Sequence, residues 1–84
     1  MSNSLKKAKL LWHSRRGMLE LDLILIPFVE RQFDTMNSAQ IASFEKLLDC
    51  TDPELFSWLM GHAEPVDKEL NNIVEFIRMQ DYIR

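Results

Sequence analysis

With a single cysteine, Cys50, the chain cannot close an internal disulfide, so its fold rests on packing alone, as a reducing compartment requires. Its two glycines, Gly17 and Gly61, stand far apart, which leaves no glycine-rich loop to cradle a nucleotide phosphate. Zinc sites draw about four ligands, usually from closely spaced pairs, and His13, Cys50 and His62 form no such pair. The longest apolar run, Leu23 to Val29, falls far short of the roughly 20 residues that span a bilayer, so no membrane insertion is expected. The basic N-terminus is followed by no apolar stretch with a small-residue cleavage site, and an Arg- and Ser-rich transit peptide is also missing. These absences together point to the cytoplasm.

Acidic residues are missing from the first sixteen positions, which hold Lys6, Lys7, Lys9, Arg15 and Arg16. The remainder carries the other five basic residues and all thirteen acidic ones, a net of −8 within a whole-chain charge of −3. An acidic body argues against a nucleic-acid partner, because displacing counterions from phosphates takes a basic face. The basic segment is either a solvated helix face or a means of steering toward an acidic partner.

What is present is ordinary globular usage, 46% hydrophobic and 27% charged over 84 residues, and a chain of this size supports one core. The pattern predicts an all-α, single-domain bundle of about five short helices over residues 1–84, with residues 1–4 frayed. Ser4 to Arg16 reads as the first helix, with Ser4 as cap, a stripe of Leu5, Ala8, Leu11 and Trp12, and Gly17 as its left-handed stop. Its lysines sit at the positive end of the helix dipole, an inconsistency with no structural benefit visible in the sequence. Leu19 to Phe33 reads as a second helix, apolar on all sides from Ile24 and kinked at Pro27. After a break at Asp34 to Ser38, a third helix carries Ile41, Phe44, Leu47 and Leu48, capped by Asn37 or Ser38. Asp52-Pro53-Glu54 opens the fourth, with Asp52 as cap, and Gly61 closes it. Pro65 opens the fifth, whose stripe is Val66, Leu70, Ile73, Val74 and Ile77, with Tyr82 and Ile83 near the end. The aromatics, Trp12 among them, are assigned to the core.

Catalytic chemistry finds little support. Cys50 lies among Asp49 and Asp52 near a helix C-terminus, where a thiolate is disfavoured. Glu20 and Asp22 are paired carboxylates, and as general acid and base they need a pocket that five short helices do not obviously provide. No catalytic and no metal-binding residue is assigned.

One constellation is left, Arg15-Arg16-Gly17-Met18-Leu19-Glu20, at the junction of the first two helices. As helix punctuation it is self-sufficient: arginines at a negative helix end, a glycine stop, an acid at a positive helix start. It is also a docking corner, since a partner's backbone can approach Gly17, Arg16 offers a planar fork and Glu20 accepts from a donor.

Arg16-Gly17-Met18-Leu19-Glu20 resembles the Arg-Gly-x-x-Glu signature of the succinate dehydrogenase flavinylation factors, or FAD assembly factors. The run RRGMLELDLILIPF from Arg15 to Phe28 and the segment DPELFSWLM from Asp52 to Met60 are similar to that family in order and spacing, over roughly residues 5–80. The resemblance implies a small five-helix, chaperone-like protein, without catalytic residues of its own. Such a protein binds the flavoprotein subunit of succinate dehydrogenase, and of related fumarate reductases, and promotes covalent FAD attachment to a histidine there. It implies that Arg16, Gly17 and Glu20 form the partner-binding surface, with Arg15 beside them, and that FAD is joined to the client rather than held stably by this chain. The missing transit peptide suits a bacterial member, and a monomer is expected. The runner-up is an antitoxin that neutralises a small membrane-associated toxin, a role also described for this family; a small enzyme working through Glu20 or Asp22 ranks last.

Overall fold

Helix formers and their end signals divide the chain into five helices in the computed structural model, which describes the backbone of residues 2–80 and the side chains of residues 5–80. They are α1 (Ser2–Ser14), α2 (Leu19–Gln32), α3 (Ser38–Leu48), α4 (Asp52–Leu59) and α5 (Lys68–Met79), with a 3₁₀ turn at Phe33–Thr35 after α2. Among the described residues there is no strand, in agreement with the all-α reading.

Helix α1 starts at Ser2, so Ser4 lies within it rather than capping it, and it ends at Ser14, before Arg16. Its packed face is not its most apolar one. Leu10 and Ser14, one turn apart, are buried, whereas Leu5 and Trp12 from the expected stripe are 60% and 78% exposed. Burying Ser14 is tolerated because its Oγ donates to the Leu10 carbonyl at 2.7 Å, leaving no hydroxyl unsatisfied. Two of the lysines do have structural partners: Lys6 pairs with Glu45 of α3 at 2.8 Å, and Lys7 Nζ donates to the Glu30 carbonyl of α2 at 3.4 Å.

Helix α2 runs through Pro27 and buries Leu21, Ile24, Leu25, Phe28 and Val29. Phe28 is the centre of the core, its ring 5.3 Å from Phe44 of α3 and 5.7 Å, edge-on, from Phe76 of α5. Leu47, Leu48, Leu55, Leu59, Ile73 and Ile77 close around it, so every helix after α1 supplies fully or nearly fully buried side chains.

Capping decides the remaining boundaries. Asn37 and Gln40 form a reciprocal box at the start of α3, as one of the two expected caps. At α4 the cap is Thr51, not Asp52: the Glu54 N–H donates to Thr51 Oγ1 at 3.3 Å and the Thr51 N–H to Glu54 Oε1 at 3.0 Å. The Thr-x-x-Glu spacing completes a box that Asp52 cannot, and the Asp52 carboxylate is left for another use. Replacing Thr51 by alanine is expected to cost about 1 kcal/mol of unfolding free energy, read as a lower urea midpoint at unchanged slope.

Helix α5 begins at Lys68 rather than at Pro65, because Asp67 caps it by accepting from the Leu70 N–H at 3.1 Å. Pro65 is buried in the preceding loop and Val66 is fully exposed, so the fifth stripe starts at Leu70. Lys46 of α3 donates to Asp67 at 2.7 Å, which together with the Leu70 N–H holds the Asp67 carboxyl below its ordinary value and raises the lysine. Tyr82 and Ile83 lie outside the described residues.

Candidate functional site

The corner between α1 and α2 is a four-residue link, Arg15 to Met18, held by short-range hydrogen bonds. After Ser14 the Arg15 N–H returns to the Trp12 carbonyl at 3.2 Å, and Gly17 then takes φ +79°, in the left-handed region that costs other residues about 1–2 kcal/mol. Met18, extended, leads into α2 without a side-chain cap. Asp22 instead accepts from the Arg16 backbone N–H at 2.9 Å, tying the first turn of α2 back across the link.

Arg16 is turned into the protein. Its Nε donates to Asp52 Oδ1 at 2.8 Å, Nη1 to the carbonyls of Leu48 at 2.8 Å and His13 at 3.3 Å, and Nη2 to the Cys50 carbonyl at 2.9 Å. The side chain is 14% exposed. The fork that sequence reasoning offers to a partner is taken up by the chain's own α3–α4 link.

The other residues of the constellation face outward. Gly17 is exposed, and a Cβ built on it would meet nothing within 4 Å. Arg15 and Glu20 are exposed, and their side chains make no hydrogen bond or ion pair with any described residue. The structure therefore brings Arg15, Gly17 and Glu20 together at one open corner, with Arg16 beneath it.

Sequence reasoning missed the corner's apolar flank. Trp12 in the last turn of α1, and Leu19 and Leu23 in the first turns of α2, are 78%, 69% and 61% exposed. Leu19 and Leu23 are one turn apart and share a face, which lies off the buried set of Leu21, Leu25 and Phe28. The available signal was an excess: α2 is apolar on more sides than four short neighbours can cover. Asp52 was missed as the partner of Arg16 because its place before Pro53 makes it look like a cap.

Among the described residues no group of three or more His, Cys, Asp or Glu side chains is placed to hold a metal. Cys50 has its thiol raised by burial first and by Glu54 and Asp49 next, the opposite of an activated nucleophile. A groove of about 500 Å³ between α3 and α5, lined by Ala39, Ala42, Ser43, Asn72 and Phe76 among others, shares no residue with the corner. No described helix is long and apolar enough to cross a membrane.

Comparison with known proteins gives a consistent set of matches. Residues 8–81 match the family described as flavinator of succinate dehydrogenase. The chain is 51% identical over 76 residues to the FAD assembly factor SdhE of Legionella pneumophila (strain Lens), covering 90% of this chain and 95% of that one. The corresponding figures for the FAD assembly factor SdhE of Yersinia pestis are 44% over 78 residues, with 93% and 89% covered. For the protein of the same name from Pseudomonas aeruginosa they are 43% over 77 residues, with 92% of each chain covered.

Proposed function

Because this chain belongs to the family of succinate dehydrogenase flavinators, we propose that it binds the flavoprotein subunit of succinate dehydrogenase and promotes covalent attachment of FAD to a histidine of that subunit. Related fumarate reductases are further clients. The chain acts as a monomer in the cytoplasm, holds no FAD stably, and contributes no catalytic residue; the flavin bond is made on the client. The antitoxin alternative gains no support from the relatives described above, all of which are named FAD assembly factors.

The observation that carries this reading is the open α1–α2 corner. An exposed cation and an exposed anion, Arg15 and Glu20, flank a glycine whose outer face is empty. Exposed Trp12, Leu19 and Leu23 lie beside them. Large aromatic and aliphatic groups ringed by charge are what a protein partner desolvates, and the glycine admits the partner's backbone. Docked there, the bundle holds the client's cofactor domain with its histidine at the flavin methyl, and proximity and orientation lower the barrier without an acid or base from the helper.

The test is in-gel flavin fluorescence of the denatured client, expressed with FAD in the presence and absence of this protein. A covalent flavin band that requires the protein is expected, together with a drop of about tenfold or more for Glu20→Ala, the loss of one well-placed charged contact. A band of equal intensity without the protein, on a client shown to be folded, overturns the reading.

A further inference from the structure

We propose that Arg16 and Asp52 form a latch that positions the partner-binding corner, so that Arg16 acts on client recognition through Gly17 and Glu20 and touches no client atom itself. The inference rests on the functional reading above and reassigns one residue of its motif, adding a second from the start of α4.

Four observations support it. The guanidinium commits four of its five N–H donors to acceptors of its own chain, at 2.8 to 3.3 Å, and is 14% exposed, so a client carboxylate can engage it bidentately only after some of those bonds break. Its acceptors need it: Leu48 is the last residue of α3, whose carbonyl has no intrahelical donor, and Cys50 lies in the link beyond. Thr51 caps α4, which frees the Asp52 carboxylate to pair with Nε. Finally, the Arg16 N–H is held by Asp22, so this one residue ties the end of α1 and the first turn of α2 to the α3–α4 link, immediately before the left-handed Gly17.

The planar fork matters because its nitrogens reach Asp52, Leu48 and Cys50 in one rigid unit, whereas a lysine ammonium is a point charge that cannot span them. With the latch broken, the link from Arg15 to Met18 keeps only short-range bonds, Arg15 to Trp12, Arg16 to Asp22 and Asp22 to Met18, none of which reaches α3 or α4. The corner must then be ordered when the client binds, which weakens binding without removing a contact.

The experiment measures affinity for the labelled flavoprotein subunit with the full chain, at a temperature where melting curves show every variant folded. Asp52→Ala and Asp52→Asn, which alter no residue of the corner, are expected to weaken binding about three- to tenfold. Arg16→Lys should not restore it. The double variant Arg16→Ala with Asp52→Ala should bind no more weakly than the worse single variant, since the latch is already gone. The ¹H–¹⁵N resonance of Gly17 should shift in Asp52→Asn without any client, which shows that the change at α4 reaches the corner, and the loss of affinity in a folded variant separates positioning from stability. Wild-type affinity in both Asp52 variants, or losses that add in the double variant, overturns the latch and returns Arg16 to direct contact. If the wild-type chain does not bind the client at all, the functional reading fails, and an unmoved Gly17 resonance would then refute the latch independently.

Discussion

Gly17→Arg is expected to abolish client flavinylation while the protein still melts cooperatively as a folded bundle. The two effects separate because the glycine has two properties at once. Its φ of +79° imposes a penalty of about 1–2 kcal/mol on any side chain, and this is a stability effect. The empty space around its Cβ position means that a larger group meets nothing in the chain itself, so no packing loss is added. A bundle of this size has roughly 3–5 kcal/mol available and survives that strain. An arginine projecting from the corner would nevertheless occupy the space through which the partner's backbone approaches and place a second exposed cation beside Arg15. Gly17→Ala bears the same strain with almost no bulk. It is expected to melt like Gly17→Arg but to retain most of the covalent flavin signal. Equal loss of signal in both variants would assign the effect to backbone strain rather than to obstruction.

Phe28→Ala is expected to have the opposite character, removing the fold and with it every activity. Phe28 is fully buried and its ring meets those of Phe44 and Phe76, so truncation removes a whole aromatic side chain from the centre of three helices. Such changes cost about 3–5 kcal/mol, which is the whole stability expected of an 84-residue single core. Circular dichroism at 37 °C should show most of the helical signal lost. A cooperative melt above 50 °C would contradict this account of the core. Trp12, equally aromatic but 78% exposed, supplies the contrast: Trp12→Ala should shift unfolding by less than about 0.5 kcal/mol. The pair distinguishes an aromatic that holds the bundle together from one that is available to a partner.

That contrast marks where the sequence was legible. Helix number and order, the course of α2 through Pro27, and the left-handed glycines at 17 and 61 follow from local rules of periodicity, ring constraint and steric freedom. The Arg-Gly-x-x-Glu resemblance pointed to the flavinator family, which the matched relatives bear out. Misread residues were those with two competing local roles. Asp52 before Pro53 and Pro65 before Val66 both carry helix-start signals, yet Thr51 and Asp67 offered better capping partners three residues ahead. Trp12 and Leu5 define the more apolar side of α1, yet Leu10 and Ser14 face the core.

The sequence by itself determined that this is one small helical domain, held by packing, with a glycine corner between its first two helices, because composition and short-range spacing decide those matters. Only the tertiary structure decided which side of α1 is buried, that Trp12, Leu19 and Leu23 stay in solvent, and that Arg16 turns inward to Asp52 while Arg15 and Glu20 turn out. Each of these depends on contacts between residues far apart in the chain, Arg16 and Asp52 being 36 positions apart. A guanidinium next to a glycine has the same local preferences whether its acceptors belong to a partner or to the end of α3. Where α3 comes to rest settles which it is.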